Sequence, residues 1–246
     1  MIYLYGVIDY GEAFSFTVHG SGRKIFNLAV NGLGMVVSPA GAEDGKVLSQ
    51  NILAHNTVME YLMDRFTVLP VRFGTLVSGE NEARKLLVNY RSQFARQLKR
   101  LHGKVEMGVK VLWNTEQVLS GFRESEILGE LKLKNLESDT PGHKFLFRKY
   151  REKAPEMYLE RKAVQIADQI HEPLARQSLE ARRHILRTPA LILSGAYLLD
   201  RENVSGFRGE FLHLKRNFSD YNFLMSGPWP PYNFFNLTCI AGGESI

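Results

Sequence analysis

The sequence is poor in the residues and runs that mark secreted and membrane proteins. Its 246 residues include a single cysteine, Cys239, which cannot form an internal disulfide and is typical of a protein in a reducing compartment. No apolar stretch approaches the roughly 20 residues of a membrane-spanning helix. The first residues lack the basic and small-residue pattern of a secretion signal. We therefore expect a cytoplasmic protein that does not bind a membrane.

Motifs for catalysis and cofactor binding are missing as well. The seven histidines are scattered, and none stands at ligand spacing from another histidine or from the cysteine. No Gly-x-Ser-x-Gly elbow is present. Segment 19–24 lacks the spacing of a phosphate-binding loop, and segment 32–37 lacks the third glycine of a dinucleotide site. We predict no enzyme activity, no catalytic residue, no metal site and no cofactor, and this pattern favours binding or scaffolding.

The charge of the chain is modest. Hydrophobic residues make up 44% and charged residues 23%, and the formal net charge is +5 at pH 7. A nucleic-acid binder usually concentrates more positive charge on one face, so we predict no specific nucleic-acid binding. The length suits one large or two small globular domains.

Hydrophobic periodicity gives the elements of the first half. The dipeptide Asn31-Gly32 between two short apolar runs is a strong signal for a two-residue β-hairpin turn. Asn51 can cap a helix whose apolar stripe includes His55, and a histidine in such a stripe is typically a hydrogen-bonded core residue. The predicted strands cover 2–8, 25–30, 33–37 and 68–73, and the predicted helices cover 52–66 and 78–101.

The second half begins with the clearest alternating pattern in the chain. Residues 104–113 place valine, methionine and tryptophan on one face of a strand. A helical, charge-rich region follows over about 115–185. Because Pro155 and Pro173 interrupt it, we predict two or three helices there. A strand over 190–199, a helix over 203–217 and a strand over 221–226 complete the pattern.

This order of elements predicts an α+β protein with two α/β domains. The second domain, residues 103–246, has the order of a ferredoxin-like (split βαβ) fold with a helical insertion. The first domain, residues 1–102, is a distorted relative of that fold. Since no proline-rich linker separates the two, we expect the domains not to be held apart by an extended linker.

The segment from Ser226 to Phe235, here called the proline corner, has the most unusual composition. Three prolines surround Trp229, and Tyr232 and two phenylalanines follow. Proline fixes its own φ angle and restricts the preceding residue, so the corner is predicted to be rigid. Trp229 is either a buried anchor that clamps the corner onto a sheet or part of an exposed aromatic docking edge. We expect the buried anchor.

Four segments carry a resemblance to a known family. They cover residues 3–8, 53–75, 103–111 and 226–234, and 196–200 is a weaker fifth. In order and composition they resemble the gas vesicle protein F/L family. The resemblance implies two α/β domains in a non-enzymatic accessory or minor structural protein, located at the gas vesicle or in the cytoplasm. Its implied partners are the small hydrophobic shell protein, whose assembly it would support, and other gas vesicle accessory proteins.

A protein that binds a hydrophobic shell subunit needs an apolar groove or a strand edge to offer it. Pro70 cannot donate a hydrogen bond to a neighbouring strand, so the strand that begins at Val68 suits a sheet edge and residues 68–75 are a candidate contact. The alternative, which we expect more often for such a segment, is a buried strand. Arg72 is a lone charge that could pair with a carboxylate or with a partner. The candidate partner-binding or structural residues are Val68, Pro70, Arg72, Phe73, Trp229 and Tyr232.

Two functions of other classes stay open. A ferredoxin-like module can bind RNA by stacking bases on exposed aromatic side chains, but the strand at 104–113 carries Met107 and Val109 where aromatics would be needed. A small-molecule-binding module would use a cleft with converging polar groups, which the sequence does not display.

Overall fold

The computed structural model describes residues 1–18, 22–41, 44, 46–123, 141–184 and 188–235. It has a mixed α/β fold with two antiparallel sheets and helices, so the coarse fold class predicted from the sequence is confirmed. The chain divides into two compact units. The first comprises Met1–Glu106 and the segment from Gly227 onward, and the second comprises Met107–Ser226.

The first unit is built on a sheet around a fully buried strand. Its strands are β1 (Ile2–Ile8), β2 (Ser15–Thr17), β3 (Lys24–Val30), β4 (Leu33–Pro39), β5 (Val68–Pro70) and β6 (Leu76–Val77). They lie in the order β2-β3-β4-β1-β5, and β6 also pairs with β1. Every residue of β1 is buried, as its unbroken apolar run predicts for a central strand.

The hairpin between β3 and β4 turns at Asn31-Gly32, as predicted. Both residues have positive φ angles, 49° and 85°. A two-residue type I′ turn requires this geometry, which matches the twist of the flanking strands. The turn brings Val30 opposite Leu33 and so fixes the register of both strands.

The single strand predicted over 68–73 is wrong, because the chain turns after Pro70. Thr75 donates hydrogen bonds from its backbone N–H and its hydroxyl to the carbonyl of Arg72, and Gly74 has a φ of 81°. β6 then returns to β1. Pro70 ends a strand at the edge of the described sheet, which is the position predicted for it.

Three helices belong to the first unit: α1 (Ser49–Met63), α2 (Glu80–Asn89) and α3 (Arg91–Leu101). The predicted Asn51 cap is wrong, since α1 begins earlier and the Asn51 side chain donates to the carbonyl of Lys46. The single helix predicted over 78–101 is two helices. Tyr90 leaves helical geometry, with φ −109° and ψ 15°, and a new helix starts at Arg91.

The second sheet has the strand order β10-β7-β9-β8. The elements are β7 (Lys104–Leu112), α4 (Thr115–Ser120), α5 (Pro141–Arg176), β8 (Glu180–His184), β9 (Leu191–Asp200), α6 (Val204–Asn217) and β10 (Asn222–Trp229). Tyr197 of β9 bonds to His171 of α5 at 2.8 Å and packs on Phe207 of α6, with ring centroids 5.2 Å apart. Both helices therefore cover the same face of β9.

α5 is one helix of 36 residues, where two or three were predicted. Pro155 and Pro173 both lie inside it, although proline in a helix interior costs about 3 kcal/mol. The helix continues because its neighbouring turns are packed: Ala154 and Leu174 have no exposed surface. None of the described helices is both long and apolar enough to cross a membrane.

The end of the predicted helical region is also wrong. Residues 180–184 form β8, which pairs antiparallel with β9. Arg182 and Arg183 lie on this edge strand and most of its residues are exposed. A charged, exposed strand has no apolar alternation, so its pairing with β9 is decided by tertiary context.

Candidate partner-binding groove

An open pocket of about 430 Å³ lies in the first unit, between α1 and the proline corner. Its lining is aromatic and apolar, with amides and one acid. The residues are Ile52, His55, Asn56, Phe73, Glu106, Trp229, Tyr232 and Asn233. This set is called the groove below.

Apolar side chains are exposed at the start of α1 and in the residues just before it. Ile52, which lines the groove, is 37% exposed, and Leu48 lies one helical turn before it. Val47 and Leu53 are 80% and 66% exposed. Farther along α1, Val58, Met59 and Leu62 are buried in the core of the unit. An exposed apolar cluster next to a concave site is typical of a protein-binding surface.

The proline corner is anchored in the first unit by a buried acid. Glu106 is 5% exposed, and its carboxylate accepts hydrogen bonds from the backbone N–H of Asn233 at 2.7 Å and from the Asn233 amide at 2.5 Å. Arg100 donates to the carbonyl of Phe234 at 2.6 Å. These hydrogen bonds hold residues 230–235 against the first unit. Trp229 is partly exposed and lines the groove.

A chain of three hydrogen-bonded rings forms the floor of the groove. The Nδ1 atom of His55 lies 3.0 Å from the hydroxyl of Tyr3, and its Nε2 atom lies 3.1 Å from the hydroxyl of Tyr232. The backbone N–H of Gly74 donates to the same Tyr3 hydroxyl at 3.0 Å. The ring of Tyr5 stacks on His55, with centroids 5.4 Å apart. The core histidine predicted at position 55 is thus confirmed.

Burial favours the neutral form of all three rings. It lowers the pKa of His55 to about 4 and raises the pKa of Tyr3 to about 12. Burial also raises the pKa of Tyr232, with smaller contributions from Tyr3 and Glu106. The charged form of each group would lose hydration in this site, so the uncharged form is favoured.

Three of the six candidate residues come together here. Phe73, Trp229 and Tyr232 all line the groove. Val68 and Pro70 are buried in β5, and Arg72 is exposed in the turn that follows. A role for any of these residues in binding a partner stays a prediction.

Sequence reasoning missed the polar half of the groove. Glu106 sits on the mostly polar face of β7, where a solvent-exposed acid would be expected. Its bond to Asn233 joins residues 127 positions apart, and the bond between His55 and Tyr232 spans 177. The one local sign of a polar site was that Tyr232 and Asn233, two residues with hydrogen-bonding side chains, directly follow two prolines.

Comparison with known proteins identifies the family. The family model described as "Gas vesicle synthesis protein GvpL/GvpF" matches residues 1–236. The chain belongs to this family. Its membership supports a gas vesicle-related role and confirms the resemblance found in the sequence. The RNA-binding and small-molecule-binding alternatives gain no support.

Individual relatives of the GvpL/GvpF family agree in length and fold. Gas vesicle protein F1 of Halobacterium salinarum is 23% identical over 241 residues, which cover 96% of this chain and 93% of that protein. Gas vesicle protein L1 of the same organism is 24% identical, over 94% and 89% of the two chains. The crystal structure of GvpF from Anabaena has a TM-score of 0.75 at 20% identity, covering 96% and 98% of the two chains. The crystal structure of GvpF from Microcystis aeruginosa has a TM-score of 0.74 at 18% identity, and the match covers 96% of this chain and 99% of that one.

The described residues contain no group of three or more His, Cys, Asp and Glu side chains that could hold a metal ion. The single carboxylic acid in the groove's described lining is Glu106, and both of its carboxylate oxygens accept hydrogen bonds from Asn233. The groove thus offers contact surface and hydrogen bonds, which suit binding.

Proposed function

We propose that this protein binds the small hydrophobic shell protein of gas vesicles and supports vesicle assembly as a non-enzymatic accessory or minor structural component. It would act in the cytoplasm or at the vesicle, together with other accessory proteins. The observation that carries the proposal is the groove with its exposed apolar border, on a chain of a gas vesicle synthesis family.

The chemistry of the groove fits such a partner. A hydrophobic shell subunit must be kept from aggregating before it assembles, and an apolar concave surface can cover part of it. Trp229, Phe73 and Ile52 supply that surface. Aromatic side chains in a partly desolvated pocket are the residues that most often dominate binding energy.

We further propose that the second half of the chain is a ferredoxin-like domain beginning near residue 103. The element order β7-α5-β8-β9-α6-β10 and the strand order β10-β7-β9-β8 support this assignment. The corner from Gly227 packs with the first unit instead, so the proposed domain would end at about β10.

A charge placed on the apolar border of the groove tests the binding function. We expect Ile52→Asp to weaken binding of purified shell protein at least about tenfold, because a carboxylate would have to be desolvated in the interface. The matched control is Val88→Asp on α2, which alters a 54% exposed apolar residue outside the groove. Affinity is measured by biolayer interferometry with shell protein kept soluble in mild detergent.

Equal binding by Ile52→Asp and Val88→Asp would show that the groove is not the contact surface. No binding by the wild-type chain would exclude the proposed function itself.

A further inference from the structure

We propose that Tyr232 recognises the partner by donating a hydrogen bond from its phenol, so that the groove selects an uncharged apolar segment that presents a free backbone carbonyl. This inference rests on the proposed function and specifies the chemistry of the partner segment.

The proton positions in the ring chain follow from the contacts of Tyr3. Its hydroxyl is buried and already accepts a hydrogen bond from Gly74 N–H. Within the described residues, its own proton has one acceptor in reach, which is Nδ1 of His55. A buried hydroxyl proton without an acceptor is costly, so Tyr3 donates to Nδ1. Neutral histidine then carries its proton on Nε2.

This arrangement leaves one donor at the end of the chain. His55 donates from Nε2 to the oxygen of Tyr232, so the Tyr232 proton cannot point back at His55. No acceptor for that proton is found among the described residues. Tyr232 lines the groove, and its O–H is therefore offered to whatever occupies it. Hydrogen bonds in such a chain polarise one another, which makes the terminal phenol a better donor.

The charges of the groove decide which acceptor fits. Its described lining contains no lysine or arginine, and its acid is Glu106. A partner carboxylate or phosphate would meet this like charge in a partly buried site, which is unfavourable. A backbone carbonyl accepts the same hydrogen bond without charge. Ile52, Phe73 and Trp229 around it suit an apolar side chain on either side of that carbonyl.

The substitution Tyr232→Phe removes the donor and keeps the ring. We expect the full-length variant to bind purified shell protein about tenfold more weakly than wild type. The matched control is Tyr61→Phe, which removes a phenol from α1 outside the groove and should bind as wild type does. Thermal unfolding of each variant verifies that the folded fraction is the same.

The two hypotheses fail in distinguishable ways. If wild type binds and Tyr232→Phe binds equally well, the donor inference is overturned while the proposed function stands. If wild type does not bind, both are overturned.

A second measurement tests the proton positions without any partner. Proton–nitrogen NMR correlation of the His55 ring in the wild-type chain is expected to show a protonated Nε2 and a bare Nδ1. Because this measurement uses only the wild-type chain, it tests the inference even if Tyr232→Phe fails to fold. The opposite tautomer would mean that Tyr232 donates to His55, and the inference would be wrong.

Discussion

His55 is a titratable ring in a buried site, and this makes stability depend on pH. Its pKa falls to about 4 in the folded protein, against about 6.5 in the unfolded chain. Between these values the unfolded state binds more protons, so the free energy of unfolding decreases as the pH falls from about 6.5 to about 4. At about 1.4 kcal/mol for each pH unit, the loss reaches up to about 3 kcal/mol.

Urea unfolding at pH 7 and at about pH 4.5 measures this effect. Wild type should lose more stability on acidification than His55→Gln, which has no titratable ring at this position. The exposed His213→Gln on α6 serves as the matched control and should follow wild type. Parallel pH profiles for wild type and His55→Gln would contradict the prediction.

Single residues also show where sequence reasoning stops. The helical stripe was sufficient to predict that His55 is buried and hydrogen-bonded. It could not reveal that both partners are tyrosines, at positions 3 and 232, because long-range contacts leave no local pattern. The burial of Glu106 could not be predicted for the same reason, since it depends on Asn233 in the proline corner. Trp229 lies between the two predicted roles, with a half-buried ring in the groove.

At the level of elements, two glycines illustrate opposite backbone requirements. Gly32 has a φ of 85° in the β3–β4 turn, where an L-residue with a side chain is strained by about 1–2 kcal/mol. Gly209 lies within α6, and a methyl group there would meet no atom within 4 Å. Glycine in a helix interior is about 1 kcal/mol less favourable than alanine.

We therefore expect Gly32→Ala to lower the melting temperature and Gly209→Ala to raise it. Differential scanning calorimetry of the two variants beside wild type gives both shifts. Two shifts of the same sign would mean that one of these two glycines is not subject to the stated backbone constraint.

Elements with strong local signals could be predicted, and elements decided by tertiary context could not. The β3–β4 hairpin, β7 and α6 carry a turn dipeptide or a clean periodicity, and their predicted bounds lie within one or two residues of the structure. α5 continues through two prolines because packing outweighs the local cost. β8 is a strand without any apolar alternation, and β9 supplies its pairing.

The whole molecule has a net charge of +5, but none of the positively charged side chains that the structure describes lines the groove. Its described lining contains no cation, so binding of the shell protein should depend little on ionic strength. We expect the dissociation constant to change less than about threefold between about 50 and 500 mM NaCl. A nucleic-acid partner that neutralises many phosphates would lose orders of magnitude in affinity over a similar range. Steep salt dependence in the same interferometry assay would contradict an interface whose described lining contains no cation.

The return of the proline corner to the first unit also determines when the groove can exist. One wall comes from Ile52 to Phe73, and the other comes from Trp229 to Asn233. A ribosome adds about 5–20 residues per second, so the second wall is made on the order of ten seconds after the first. A nascent chain therefore presents α1 without its facing wall. Both walls are present only in a chain translated beyond Asn233, so the proposed binding of a shell subunit requires the proline corner to have been synthesised.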